Sequence, residues 1–348
     1  MTAGPLTSVG QGNTYVKDFR STGKLQIEFS RNAKDFSLPN YIQIKKVDKD
    51  SGYYLRIDQR NHSRIVGGNL DEYVWADAAD RPVLNNNGDE YQFEDYKTIR
   101  RNFGQRLGDK ATKQADWDVE GGQERTQAQK AMTARTKLVH AALATSGNWD
   151  ATHRVDVTAI SGSGQWSGAL STAPYIKKTL SYGVKKIMLD TGSTVRRGDL
   201  ILVINPTTAL MMSETQELID HIKQSPAAFD QVRNGSGRWT EWLLPDQIYG
   251  IPIVVEDAVI TTTPRGAATQ TSSFVMGDGI CYLLSRPGGL ESKGGGPSYS
   301  TVTLFAYEDM TVEKTREVEH RRGTVCVVDD IGVGMTAPIA GMSIYNLY

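Results

Sequence analysis

Cysteine is scarce. Two in 348 residues, Cys281 and Cys326, cannot supply a disulfide framework. Each lies in an apolar, strand-like run, so both read as reduced core thiols of a protein made in a reducing compartment. Neither sign of charge is in excess: 39 Lys and Arg face 40 Asp and Glu, for a formal net charge of -1. A protein that grips nucleic acid by bulk charge is basic, so that class is set aside. No apolar run approaches the roughly 20 residues of a membrane span. The opening residues, Met1 to Phe19, have neither the apolar core of a signal peptide nor an amphipathic basic helix. The expectation is a soluble, unexported chain with no membrane partner.

Signatures of catalysis are equally sparse. His62, His140, His153, His221 and His320 are scattered, and none stands at metal-ligand spacing from another His, Cys or carboxylate. His140 and His221 are placed on helix surfaces or flanks. Gly162-Ser163-Gly164 lacks the third glycine and the preceding strand of a dinucleotide fingerprint, and neither GxxxxGK[ST] nor GxSxG occurs. Asp190-Thr191-Gly192-Ser193 matches the loop of aspartic proteases, whose chemistry needs two carboxylates sharing one proton. No second such loop exists, and this one closes a helix, so it reads as a turn. No catalytic, cofactor-binding or metal residue is assigned. The chain does not read as an enzyme, and an aspartic-type hydrolase around Asp190 is kept as the remote alternative.

What is present is a chain long enough for two or three packed lobes. Its organising stretch is Asp199 to Asp257. Leu200-Ile201-Leu202-Val203-Ile204 is right for a buried strand, Asn205 for an N-cap and Pro206 for the first helical position. One helix is read to about Gln224, with Leu210, Met211, Leu218 and Ile222 on its buried face, ended by Ser225-Pro226. The run from Leu243 to Asp257 is a Gly/Pro-punctuated turn into a second buried strand. Phe274 to Leu284 carries the turn Gly277-Asp278 between two further strands.

In order and spacing, Asn205-Pro206, Gly250-Ile251-Pro252 and Gly277-Asp278 resemble the A-domain of major capsid proteins with the HK97 fold, from tailed double-stranded DNA bacteriophages. The resemblance covers roughly Ser171 to Tyr348. It implies an α+β fold: an N-terminal arm at 1–38, an extended β-hairpin E-loop at 39–107, and a P-domain spine helix and strand at 108–165. A mixed α/β A-domain at 166–300 follows, then P-domain strands and a return to the A-domain at 301–348. The implied work is self-assembly into pentamers and hexamers of an icosahedral head. The implied partners are other copies, a portal, a decoration protein and packaged double-stranded DNA held by weak non-specific contact. Some members carry a long N-terminal scaffolding region; none precedes the arm here, so the expectation is a separate scaffolding protein, or none. The implied location is the virion capsid, assembled in the bacterial cytoplasm. An encapsulin-like nanocompartment shell is the same-fold alternative. Near-neutral charge suits a container, which needs only weak interaction with its contents.

The remaining chain is read around that frame. In the arm, Leu25, Ile27 and Phe29 alternate with polar residues, so one face of an extended segment is apolar and needs something to lie on. A hairpin is read with Tyr41, Ile42 and Ile44 leading in, Asp50-Ser51-Gly52 turning, and Tyr53, Leu55 and Ile57 leading out. A second extended piece carries Tyr91, Phe93 and Ile99. On the E-loop reading, Tyr53, Tyr54, Arg56, Trp75, Tyr91 and Phe93 are inter-subunit contact candidates, together with the three arm residues. A long helix is read from about Gly122 to Thr145, with Ala128, Ala131, Met132, Leu138, Val139, Ala142 and Leu143 packed. Gln123, Glu124, Arg125, Lys130, Arg135 and Lys137 form its wet face. Another helix starts near Ser171-Thr172, with Pro174 in its first turn and a buried stripe of Tyr175, Ile176, Leu180, Val184 and Ile187. Some relatives crosslink an E-loop lysine to a P-domain asparagine. Lys45, Lys46 and Lys49 qualify by position, but only Asn346 follows Met310, so no pair is assigned.

Overall fold

The computed structural model describes residues 36–57, 74–77, 92–115, 118–166, 174–224, 242, 244–264, 266–285 and 300–348. Two sheets organise them. The larger has six strands in the order β5-β14-β11-β6-β8-β7: β5 is Arg154–Asp156, β6 Leu200–Ile204, β7 Gln247–Ile248, β8 Ile251–Val255, β11 Cys281–Ser285 and β14 Met342–Tyr345. Its central strand β6 is buried at every position. Leu200, Leu202 and Ile204 face one core while Ile201 and Val203 face another, which is why the run is apolar without alternation. The neighbouring β11 divides the same way, Cys281 and Leu283 against Tyr282 and Leu284. Both cysteines are free thiols; burial pushes the Cys281 thiol far above its ordinary range.

The first core is closed by α3 (Tyr175–Asp190) through Ile176, Leu180, Val184 and Ile187 of the expected stripe, while its first member, Tyr175, is only partly buried against it. Pro174 is its N-cap rather than a residue of its first turn. Asn205 caps α4 (Pro206–Ser213) as expected, its side-chain oxygen accepting from the Thr208 N–H at 2.8 Å. The single helix read to Gln224 is in fact two. The chain breaks at Glu214-Thr215 and restarts as α5 (Gln216–Gln224), with the Thr215 hydroxyl donating to the Met212 carbonyl. The break rotates the buried face: Thr208, Ala209, Met212 and Leu218 are inside, whereas Leu210 is 44% exposed. Between β7 and β8, Tyr249 (φ 50°) and Gly250 (φ 77°) make a two-residue turn in which both positions are left-handed.

The second sheet is long and four-stranded, ordered β1-β12-β13-β4: β1 is Gln43–Lys46, β4 Ile99–Gly108, β12 Thr303–Glu317 and β13 Arg322–Gly334. The hairpin read at 41–57 does not form. β1 pairs in parallel with β12, and its supposed partner β2 (Ser51–Arg56) pairs with β3 (Gln92–Lys97) as a separate two-stranded ribbon. The turn residues were present, but Tyr41 and Ile42 are buried in the core with Leu304 and Ala306, which lays the mostly exposed β1 beside β12. A further small hairpin joins β9 (Val259–Thr261) to β10 (Ser272–Phe274).

Two helices precede the second sheet's crossing: short α1 (Asp109–Gln114) and α2 (Val119–Ala144), whose 26 residues make a rod about 39 Å long. Helix α2 starts three residues before Gly122 because Asp118 accepts from the Gly121 N–H at 2.9 Å. Val139 and Leu143 enter the second core, which joins β6 and β11 of the larger sheet to Leu304, Ala306 and Ile331 of the long one. Arg135, read as part of the wet face, is 3% exposed. Its guanidinium forks onto Asp329 of β13 at 2.9 and 2.6 Å and reaches Asp309 of β12 at 2.6 Å. Nothing in the helix spacing marks it, because its carboxylate partners lie almost 200 positions away.

Candidate functional site

The ribbon β2–β3 has two unlike faces, fixed by its register. Tyr53 stands opposite Asp95, and Leu55 opposite Phe93, on one face; Gly52 faces Tyr96 and Tyr54 faces Glu94 on the other. The inner face is anchored to the molecule's own sheet. Tyr96 stacks on Phe305 of β12 at 4.7 Å between ring centres, and Tyr54 meets the same ring at 5.3 Å. The Tyr54 hydroxyl donates to Glu94 at 2.6 Å, and Arg56 pairs with the other oxygen of that carboxylate. Burial, then this bond, push the Tyr54 hydroxyl well above its ordinary range. Gly334 of β13 makes the arrangement feasible, since a Cβ there would lie 2.9 Å from both Tyr54 and Phe305.

The outer face has the opposite character. Tyr53 is 75% and Phe93 67% exposed, with Leu55 half-buried between them. Trp75, in the short described piece at 74–77, is 56% exposed. Of the contact candidates, then, Tyr53 and Phe93 are presented outward and Trp75 is more than half exposed, whereas Tyr54 and Arg56 are held by Glu94 and Phe305 on the inner face. Tyr91 and the arm residues Leu25, Ile27 and Phe29 lie outside the described residues. Period-2 alternation separated the two ribbon faces but not which of them turns outward; that is decided by Phe305, some 200 positions away.

Two polar clusters join residues that the sequence reading left apart. In the first, Glu256 at the end of β8 accepts from Ser37 Oγ at 2.6 Å, from the Tyr41 hydroxyl at 2.7 Å and from the Ala258 N–H at 3.0 Å. His140 Nε2 lies 2.9 Å from the same Tyr41 oxygen. Tyr41 spends its proton on Glu256, so His140 donates to it from Nε2. His140 is therefore an interior residue of α2, 3% exposed, and not a surface one. Together these bonds tie the chain before β1 to the larger sheet and to α2.

Burial lowers the His140 imidazole from 6.5 to about 4. The folded state keeps it neutral while the unfolded chain takes up a proton near pH 6.5, so the contribution of this group falls as pH drops from about 6.5 to about 4 and is constant below. The loss expected is about 3 kcal/mol. Denaturant midpoints between pH 7 and 4 will measure it, and His140→Gln, which keeps a donor, should flatten that slope. An unchanged slope in the variant would assign it to other groups.

The second cluster holds Asp190. It ends α3, and Gly192 (φ 58°) and Ser193 (φ 62°) turn the chain after it, as expected of this motif. His153 Nε2 stands 2.7 Å and Lys186 Nζ 2.9 Å from its Oδ2, while His153 Nδ1 faces the Gly341 carbonyl at 2.6 Å. Burial raises the Asp190 carboxyl, and the bonds from Lys186 and His153 outweigh it and leave the group below the usual carboxylate range. An ionised acid clasped by two bases is a clip between α3, β5 and β14, not half of a proton-sharing pair. Among the described residues no three His, Cys, Asp or Glu are grouped to hold a metal ion, and no helix is long and apolar enough to cross a membrane.

No protein-family model matches this chain, and no curated protein matches it in sequence. Solved structures match along nearly its whole length. A phage-related protein from Bordetella bronchiseptica RB50 aligns with a TM-score of 0.57 at 15% identity, covering 88% of this chain and 90% of that one. The capsid of cyanophage P-SCSP1u aligns with a TM-score of 0.56 at 14% identity, over 99% of this chain and 98% of that one. The mature capsid of bacteriophage PhiM1 gives 0.52 at 13% identity, over 95% and 91%. At such identities the likeness establishes how the chain is folded.

Proposed function

Because the chain has the α+β fold of HK97-like phage capsid structures, we propose that it is a shell subunit: the major capsid protein of a tailed double-stranded DNA bacteriophage. It works by self-assembly into pentamers and hexamers of a closed icosahedral head, not by catalysis. The observation that carries the reading is the ribbon, which fastens one face to its own sheet and holds Tyr53 and Phe93 out to solvent. Isolated exposed aromatics are ordinary, but a paired-strand face presenting Tyr, Leu and Phe together is costly to leave in water. A neighbouring copy that covers it removes that cost, and the gain recurs at each contact of a closed shell. The proposed partners are other copies, a separate scaffolding protein, a portal, a decoration protein and weakly held double-stranded DNA. Assembly would take place in the host bacterium's cytoplasm.

Electron microscopy of the overexpressed protein tests this directly. The expected result is closed isometric shells, with double-stranded DNA in particles purified from their natural source. Monodisperse protomers at every concentration would overturn the reading, and small shells loaded with an enzyme would replace it with the nanocompartment alternative.

A further inference from the structure

The carboxylate of Asp330 is the least well-partnered buried charge among the described residues. Its side chain is 8% exposed, its Oδ2 sits 3.5 Å from the Nε of an Arg100 that is itself 62% exposed, and its Oδ1 has no hydrogen-bond partner. A buried carboxylate oxygen with no close donor is unfavourable unless something supplies one. Asp330 lines an open cavity of about 620 Å³ together with Asp48, Lys49, Asp50, Ser51, Thr98, Arg100 and Tyr307. Arg100 is shared with Glu308 at 3.4 Å, so one guanidinium serves two carboxylates, and Lys49 is the other cation of a lining that also holds Asp48 and Asp50. Carboxylates outnumber cations here, and the complement Asp330 Oδ1 needs is a donor, best a charged one.

We propose that this cavity receives a basic side chain, a guanidinium or an ammonium, from a second copy of the chain, with Asp330 as its principal acceptor. The inference rests on the shell-subunit reading. A metal ion is the poorer occupant, since the described acids do not gather three ligands around one point. A second copy is favoured by position: Asp50 and Ser51 lead directly into β2, and Thr98 follows β3, so the cavity opens at the root of the ribbon. A copy docked on the ribbon would thus lie next to the cavity. Arg100 remains in place as a partial counter-charge and keeps the unassembled protomer tolerable.

Asp330→Asn tests the assignment. It removes a poorly satisfied charge, so the unassembled protomer should keep or gain thermal stability. The critical concentration for shell formation should rise about tenfold or more, as for loss of one partner of a buried charge pair. A map of the assembled wild-type shell at side-chain resolution should place an Arg or Lys nitrogen of the neighbouring copy within hydrogen-bond distance of Asp330. The proposal is overturned if shells form and Asp330 meets only its own Arg100, water or a metal ion, or if Asp330→Asn assembles as readily as wild type. Failure of the wild-type chain to assemble at all would instead overturn the shell-subunit reading.

Discussion

Arg135→Ala should cost the protomer about 3–5 kcal/mol, because it strands the Asp329 carboxylate in the interior. Asp329 is 1% exposed, and the fork from Arg135 is the ion pair that compensates its burial. Asp309 loses its partner too, but at 46% exposure it turns to water and adds little. Denaturant unfolding of the unassembled protein measures the loss. The control is Arg135→Met combined with Asp329→Leu, which removes both charges and fills their space; it should recover most of the stability. If the single and the double variant were equally damaged, packing of the arginine stem and not the charge pair would be the cause.

Tyr53→Asp with Phe93→Asp should abolish closed shells while leaving the protomer nearly as stable as wild type, within about 0.5 kcal/mol. Both side chains are mostly exposed, so the fold has little to lose. Two carboxylates beside Asp95 would give a neighbouring copy an apolar contact turned into like-charged, desolvated acids. Sedimentation and electron microscopy would report assembly, and denaturant midpoints the protomer. Abundant shells from the double variant would remove the ribbon's outer face from the assembly contacts. Tyr54→Phe provides a contrast, since it loses an intramolecular bond to Glu94 and should show a modest loss of protomer stability.

Local chemistry was legible where it decided the structure locally. The run Leu200–Ile204, the cap at Asn205 and the stripe of α3 depend on neighbours within a few residues, and the structure reproduces each. Three of the failures share one cause. Whether β2 pairs with β1 or with β3, whether Arg135 is wet or buried, and whether His140 is surface or interior all depend on residues 40 to 260 positions distant. The break after α4 is different: Glu214-Thr215 carries no Gly or Pro, so helix propensity alone gave no reason to stop there. The aromatics of the ribbon were legible in the sequence, but which of them turn outward and the loosely held Asp330 were not.

The ribbon is hung between the two rims of the long sheet. Its incoming strand follows β1, which flanks β12, and its outgoing strand runs on into β4, which flanks β13. The Phe305 ring pins the ribbon between those two edges, so it cannot shift far without disturbing that stack or the strands on either side. The same sheet is tied through the Arg135 fork on Asp329 of β13 to a rod about 39 Å long, so ribbon, sheet and rod are moored to one another.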